Sequence, residues 1–179
     1  RSQLEPIRQW IDAAGWPILQ QQGIEADDLI AAVVTAREGH QTYIVSHDKD
    51  LGQLVDQTGV FQLVPGNKGS LLKLGPDGVQ EKFGVHPRHI RDFLALVGDN
   101  VDNIPGVAGI GPKTAATLIN QHGSINAMLE TPDAIENPKL RAKIIAGADN
   151  LQRNLKLVTL STQLPDGWQG LETIRRRPP

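Results

Sequence analysis

The chain has 179 residues, 39% hydrophobic and 21% charged, with 18 glycines, 12 prolines and no cysteine. That length buries one sizeable core, or a core with an appendage, and excludes a bare peptide. No apolar run approaches the ~20 residues that cross a bilayer, so no membrane partner is expected. Without cysteine there is no disulfide framework, zinc ribbon or thiol catalysis, and any metal is held by oxygen or imidazole. A reducing, cytoplasmic location is the expectation. The first fifteen residues are amphipathic but carry acid and lack a continuous apolar stretch, so they are not a secretory signal. The missing initiator Met and the abrupt RRRPP ending suggest an excerpt of a longer polypeptide.

In chain order, apolar positions at Leu4, Ile7, Ile11 and Ala14 predict a helix ended by Gly15 and Pro17. Residues 26–38 predict a second helix with an acidic first turn, stopped by Gly39. Residues 42–46 predict a buried parallel strand, followed by a helix over 50–56. Residues 59–64 and 71–74 flank PGNKG and predict a hairpin. From Pro76 onward β-rich runs give way to short helices over 76–83, 87–97, 113–121, 125–130, 139–146 and 150–159. The division expected is therefore an α/β portion over 1–75, a helical portion over 76–165 and a tail over 166–179. Trp10, Trp16 and Phe93 read as core, and His47 is assigned no role.

The formal net charge of −2 hides a pattern. Seven acids fall in three clusters: Glu25, Asp27, Asp28; Asp48, Asp50; and Asp99, Asp102. Setting those seven aside leaves 13 acids against 18 bases, a modestly basic body around an acidic locus. That suits a metal-dependent enzyme with an anionic substrate. Asp48 and Asp50 follow a strand at the edge where open α/β sheets bind ligands. Glu25, Asp27 and Asp28 open a helix, where the dipole favours carboxylates. Asp99 and Asp102, at i and i+3, would share a face of a helical turn. Any one pair alone is more readily a helix cap or solvated surface. Gathered on one side of a fold, the three clusters repel one another unless a cation lies between them. Oxygen ligands select hard ions, Mg2+ or Mn2+, and two such ions can stabilise attacking and leaving oxygens in phosphodiester hydrolysis.

The stretch from Ile104 to Ala115 has the glycine order G-x-x-G-x-G with no preceding strand, which excludes a dinucleotide fingerprint. As a hairpin between short helices it lets backbone amides approach phosphate, with Lys113 adding a point charge.

Taken together, GIEADDL (23–29), SHDKDLGQLV (46–55), EKFGV-P (81–87) and FLALVGDNVDNIPGVAGIGPKTA (93–115) resemble the 5′ nuclease domain of bacterial DNA polymerase I and its stand-alone flap endonuclease and phage relatives. The resemblance implies a PIN-like α/β core with a parallel sheet, here lacking its N-terminal strand, plus an all-α helix-hairpin-helix subdomain. It implies 5′-3′ exonuclease and 5′-flap endonuclease activity on branched or nicked duplex DNA in replication and repair. Glu25, Asp27, Asp28, Asp48, Asp50, Asp99 and Asp102 then correspond to the family's carboxylates for two Mg2+ ions, Mn2+ substituting, with Asp48, Asp50, Asp99 and Asp102 catalytic. Gly106, Val107, Gly109, Ile110, Gly111, Lys113 and Thr114 correspond to the loop that grips duplex DNA, often with a bound K+ on backbone carbonyls. The family's first Asp-bearing strand and helical arch have no counterpart here, so a separate or missing N-terminal segment is expected, and a fused DNA polymerase is a further possible partner. The alternative from another class is a non-catalytic module that binds duplex DNA through Lys113 and the bases Lys139, Arg141, Lys143, Arg153 and Lys156. Arg175, Arg176 and Arg177 read as a solvated tail.

Overall fold

The computed structural model describes residues 3–177; Arg1, Ser2, Pro178 and Pro179, the ends of the terminal readings, lie outside the described residues. Two compact units emerge, one formed by the stretch up to His40 with the stretch from Leu160 onward, the other by Gln41–Thr159. Among the described residues no helix is long and apolar enough to cross a membrane.

The first unit holds α1 (Leu4–Ala13), α2 (Ala26–Thr35) and an irregular return segment. The sequence periodicity places both helices, but α1 buries none of its residues. Trp10 is 69% and Trp16 50% exposed, against the expectation that both are core. Two ten-residue helices and an irregular return segment offer too little apolar surface within this unit to enclose an indole. The unit is fastened by polar contacts instead. Arg177 pairs with Asp12 at 2.6 Å, and Arg176 Nε donates to the Ala14 carbonyl at 3.2 Å while its guanidinium lies 4.8 Å from the Trp16 ring centre. Arg175 pairs with Glu172. Read from sequence as a solvated tail, Arg176 and Arg177 tie the C-terminal stretch to the end of α1.

The second unit carries a mixed three-stranded sheet in the order β1-β2-β3. β1 (Thr42–Val45) runs parallel to β2 (Val60–Pro65), which pairs antiparallel with β3 (Leu71–Leu74) across the PGNKG turn. The helix expected over 50–56 is a five-residue 3-10 turn, Asp50–Leu54; with Gly52 inside it, the segment is too short to nucleate an α-helix. α3 (Pro76–Phe83) follows. The helix expected over 87–97 divides into a 3-10 turn at Pro87–His89 and α4 (Ile90–Val97).

α4 is the pillar of this unit. Ile90, Phe93, Leu94, Ala95 and Leu96 are buried, and α5 (Pro112–His122) and α8 (Ala148–Val158) pack on it. α6 (Ile125–Glu130) and α7 (Pro138–Ala146) complete the helical part. Asp92, only 3% exposed, accepts a hydrogen bond from the Ile125 amide at 2.8 Å, satisfying a donor at the start of α6. Val55, Leu74 and Val79 share one buried cluster with Leu94 and Ile119.

Between α4 and α5 the backbone closes on itself in a short hairpin, β4 (Gly98–Asp99) paired with β5 (Ile104–Pro105). Gly98 leaves α4 at φ +81, and a Cβ on Gly106 would stand 2.1 Å from the Val97 carbonyl oxygen. Only hydrogen fits there. Gly106→Ala is expected to lower stability by about 1–3 kcal/mol or more, the range for forcing atoms into a packed interior. Thermal unfolding measures it; an unchanged Tm would contradict this packing.

Candidate functional site

Two loops of the second unit bring acids together. The first follows β1. The Ser46 amide donates to the Leu63 carbonyl, Ser46 Oγ accepts from the Asp48 amide at 3.0 Å, and Asp48 Oδ1 accepts from the Asp50 amide at 2.9 Å. Short polar side chains thus cap successive amides and wind the chain into the 3-10 turn. The loop is held from beneath by Gln62, which is fully buried and donates through Nε2 to the carbonyls of Ser46 (3.2 Å) and Asp48 (2.6 Å).

The second loop is the tip of the β4–β5 hairpin. Asp99, 7% exposed, accepts from the Val101 amide at 2.8 Å, and Asn103 adopts φ +55 to complete the turn. Asp99 and Asp102 were expected on a helical turn; they lie on a hairpin because Gly98 terminates α4 before either. The hairpin is braced from α8 by Asn154, 1% exposed, whose Nδ2 donates to the carbonyls of Ala95 (3.1 Å) and Pro105 (2.6 Å).

Asp50, Asp99 and Asp102 converge, each offering a carboxylate oxygen within 4.8 Å of the others. Burial, then the neighbouring charge of Asp48, pushes the Asp50 carboxyl up to about 6, with Asp99 and Asp102 adding to the rise. Desolvation and the charges of Asp99 and Asp48 raise Asp102 as well. Burial would also raise Asp99, but the Lys49 ammonium, 2.6 Å away, and the Val101 amide hold it below the usual carboxylate range. Asp48 stands outside the group of three, on the exposed rim, and its charge acts on two of them.

The arrangement fits a hard divalent cation. Asp50 Oδ1 is buried without a hydrogen-bond partner, in a cluster of anions that oxygen-seeking ions neutralise. Asp50, Asp99 and Asp102 would hold it.

Glu25, Asp27 and Asp28 belong to the first unit. Glu25 is the exposed N-cap residue of α2, and Asp27 and Asp28 lie in its first turn. Asp27 Oδ1 accepts from the Asp28 amide at 2.9 Å, and Asp28 Oδ1 from the Ser161 amide at 2.7 Å. Both therefore already satisfy backbone donors.

The glycine loop begins at β5. The Val107 amide donates to the Leu96 carbonyl and the Ile110 amide to the Val107 carbonyl, both at 2.9 Å, and the Ile110 side chain is buried. Val107 and Ile110 thus build the loop. Gly109, at φ +72, is exposed, as are Gly111, the N-cap of α5, and Lys113 in its first turn. Thr114 is half-buried and Gly106 is packed under Val97. Lys143 donates through Nζ to the Gly109 carbonyl at 3.2 Å. Of the remaining bases, Arg141 is committed to Asp133 and the Ile135 carbonyl, while Lys139, Arg153 and Lys156 are exposed.

Sequence reasoning missed Gln62, Asn154 and Lys49. Gln62 interrupts an otherwise apolar strand, VFQLVP. Asn154 falls on the buried stripe Leu151, Leu155, Val158 of α8. A lone amide at a core position is the signal both offered.

Residues 1–84 match the N-terminal resolvase-like domain of 5′-3′ exonucleases, and residues 85–179 match their C-terminal SAM fold. The chain belongs to the 5′-3′ exonuclease family. It is 40% identical over 164 residues to the 5′-3′ exonuclease of Aquifex aeolicus, covering 90% of this chain and 54% of that protein. With the thermostable DNA polymerase I of Thermus filiformis it shares 39% over 179 residues, 99% of this chain and 21% of that one. It thus spans about half the length of the first and a fifth of the second. A structure of a mutant bacteriophage T5 5′-exonuclease superposes with a TM-score of 0.74 at 25% identity, over 88% of this chain and 65% of that one. The T5 enzyme has also been seen with bound zinc, at TM-score 0.71 and 25% identity, over 88% and 60% of the two chains. A T5 flap endonuclease complex with DNA and metal ions has the same fold, with a TM-score of 0.76 at 24% identity, over 90% and 58%.

The raised Asp50 sets a pH dependence. Its folded value of about 6 lies above the ordinary 3.8 of a free aspartate, so the folded protein favours the protonated form, and ionising Asp50 removes stability as pH rises from about 4 to about 6 in the absence of divalent ions. An ion must displace that proton. Apparent Mn2+ affinity is expected to fall about tenfold per pH unit below the raised value, one proton being exchanged, and to level off above it. Calorimetric titration from pH 5 to 8 measures this; a flat profile would contradict the site.

Proposed function

We propose that this chain is the metal- and duplex-binding part of a structure-specific 5′ nuclease, with both 5′-3′ exonuclease and 5′-flap endonuclease action on branched or nicked duplex DNA. The observation that carries the reading is the convergence of Asp50, Asp99 and Asp102 in a member of the 5′-3′ exonuclease family. Asp48, Asp50, Asp99 and Asp102 would hold two Mg2+ ions, for which Mn2+ can substitute, and Glu25, Asp27 and Asp28 belong to the same proposal through the family's pattern. Bound divalent ions supply charge neutralisation at the phosphate and activation of the attacking water.

The chain's own residues do the positioning. Asp99, partly neutralised by Lys49, keeps its charge at neutral pH. Below about pH 6 Asp50 gives up a proton as the site fills. Gln62 and Asn154 fix the two loops that carry these acids, which limits how far either can drift from the productive geometry.

Duplex is held beside this centre by the glycine loop. The amides of Gly109 and Gly111, the start of α5, Lys113 and Thr114 are the groups we assign to a phosphate, in keeping with anion binding at a helix N-terminus. Gly106, Val107 and Ile110 shape that loop. A K+ ion on the loop's carbonyls belongs to the same proposal, supported by Lys143, which already places a cation on the Gly109 carbonyl. The subdomain over 76–165 would contact DNA while the first 75 residues contribute acids and the tail over 166–179 braces α1. Action on chromosomal DNA in replication and repair, in the cytoplasm at the bacterial nucleoid, follows from the same reading. So does fusion to a DNA polymerase, as in the polymerase I relatives.

The test is cleavage of a 5′-flap duplex by the full-length protein in Mg2+. Turnover is expected, with a loss of about 10²-fold or more in Asp99→Asn, the scale for disabling a metal ligand. Lys113→Ala is expected to weaken duplex binding uniformly across sequences and to reduce the salt slope by about one. Absence of cleavage, or an Asp99→Asn variant as active as wild type, would overturn the assignment.

A further inference from the structure

Lys49 stands between two of the acids in sequence and meets a third in space. Its Nζ lies 2.6 Å from Asp99 Oδ2, with the lysine side chain 37% exposed and that of Asp99 8%. The other Asp99 oxygen accepts from the Val101 amide, so Lys49 is the charged partner of a nearly buried carboxylate. The backbone around it is fixed, because Gln62 holds the Asp48 carbonyl at 2.6 Å and Asp48 holds the Asp50 amide. The side chain is a compact charge on a flexible four-carbon stem, able to leave without disturbing that backbone. A divalent ion that takes Asp99, whose oxygen lies within 4.8 Å of those of Asp50 and Asp102, competes with this ammonium for the same anion.

We propose that Lys49 is a built-in counter-cation of the metal centre, which neutralises Asp99 before a divalent ion arrives and is displaced by that ion from Asp99 Oδ2. The inference rests on the metal-dependent reading of the site and adds to it a positioning residue. Lys49 keeps the two acid-bearing loops joined when mutual repulsion of Asp50, Asp99 and Asp102 would part them. It does so at the expense of metal affinity, because the entering ion must break a charge-assisted hydrogen bond. A merely structural lysine would make no such exchange.

Mn2+ binding to the full-length protein without DNA, followed by the electron paramagnetic resonance of the free ion, separates these cases when paired with thermal unfolding in EDTA. Lys49→Met is expected to bind Mn2+ about tenfold more tightly, the scale for no longer surrendering one charge-assisted bond, while melting at a lower temperature than wild type in EDTA. Lys49→Arg, which keeps the charge, should return both quantities toward wild type. In an Asp99→Asn background Lys49→Met should change neither. Unchanged or weaker Mn2+ binding by Lys49→Met, while wild type binds and Asp99→Asn loses affinity, would overturn the role of Lys49 and leave the metal centre standing. Failure of the wild type to bind Mn2+ at all would overturn both. Should Lys49→Met not fold, Lys49→Gln is read for the same tightening.

Discussion

Three carboxylates drawn within 4.8 Å of one another repel, and the second unit is built to resist that repulsion. The acids sit on two loops that would relax apart if free. One loop is anchored by Gln62 from inside the sheet, the other by Asn154 from α8, and each amide spends its two donors on backbone carbonyls. Both leave an oxygen with no partner among the described residues, a penalty of about 1–3 kcal/mol for each such group. A fold that tolerates this at two sites, both directed at acid-bearing loops, favours loop geometry over maximal stability.

The same hairpin couples the acids to the glycine loop. Asp99 and Ile104 are a paired register position, Gly106 packs beneath Val97, and Val107 hydrogen-bonds back to Leu96. The end of α4 therefore sets the position of the acids and of the loop proposed to hold phosphate within one short, tightly packed stretch. On the proposed reading, a duplex gripped near Gly109 and Lys113 would be held at a fixed offset from Asp50, Asp99 and Asp102, as cutting at a structural junction without reading bases would require.

Much of this was legible in the residues. Pro and Gly at helix ends placed α3, α5, α6 and α7, and the β-rich run before Asp48 placed β1 at the edge where the acids follow. The glycines from Gly106 to Gly111 marked a tight turn between two helices. Other features depend on tertiary packing and left little trace. Asp99 and Asp102 have helical spacing, yet Gly98 turns the chain into a hairpin. Trp10 and Trp16 look like core by residue type and position, yet their unit supplies too little surface to cover them. Val107 and Ile110, expected at the phosphate, use their amides and, for Ile110, the side chain to build the loop itself. Lys49 carries no role in the sequence reading, because an ion pair that closes between separate loops has no local signature.

The central claim is that Asp50, Asp99 and Asp102 form one divalent-cation site. Crystals of the full-length protein grown with Mn2+ and measured at the manganese absorption edge test it most directly. The account predicts an anomalous peak about 2.2 Å from carboxylate oxygens of these three residues, the spacing for small hard cations. Manganese elsewhere, with these carboxylates turned apart, would contradict it.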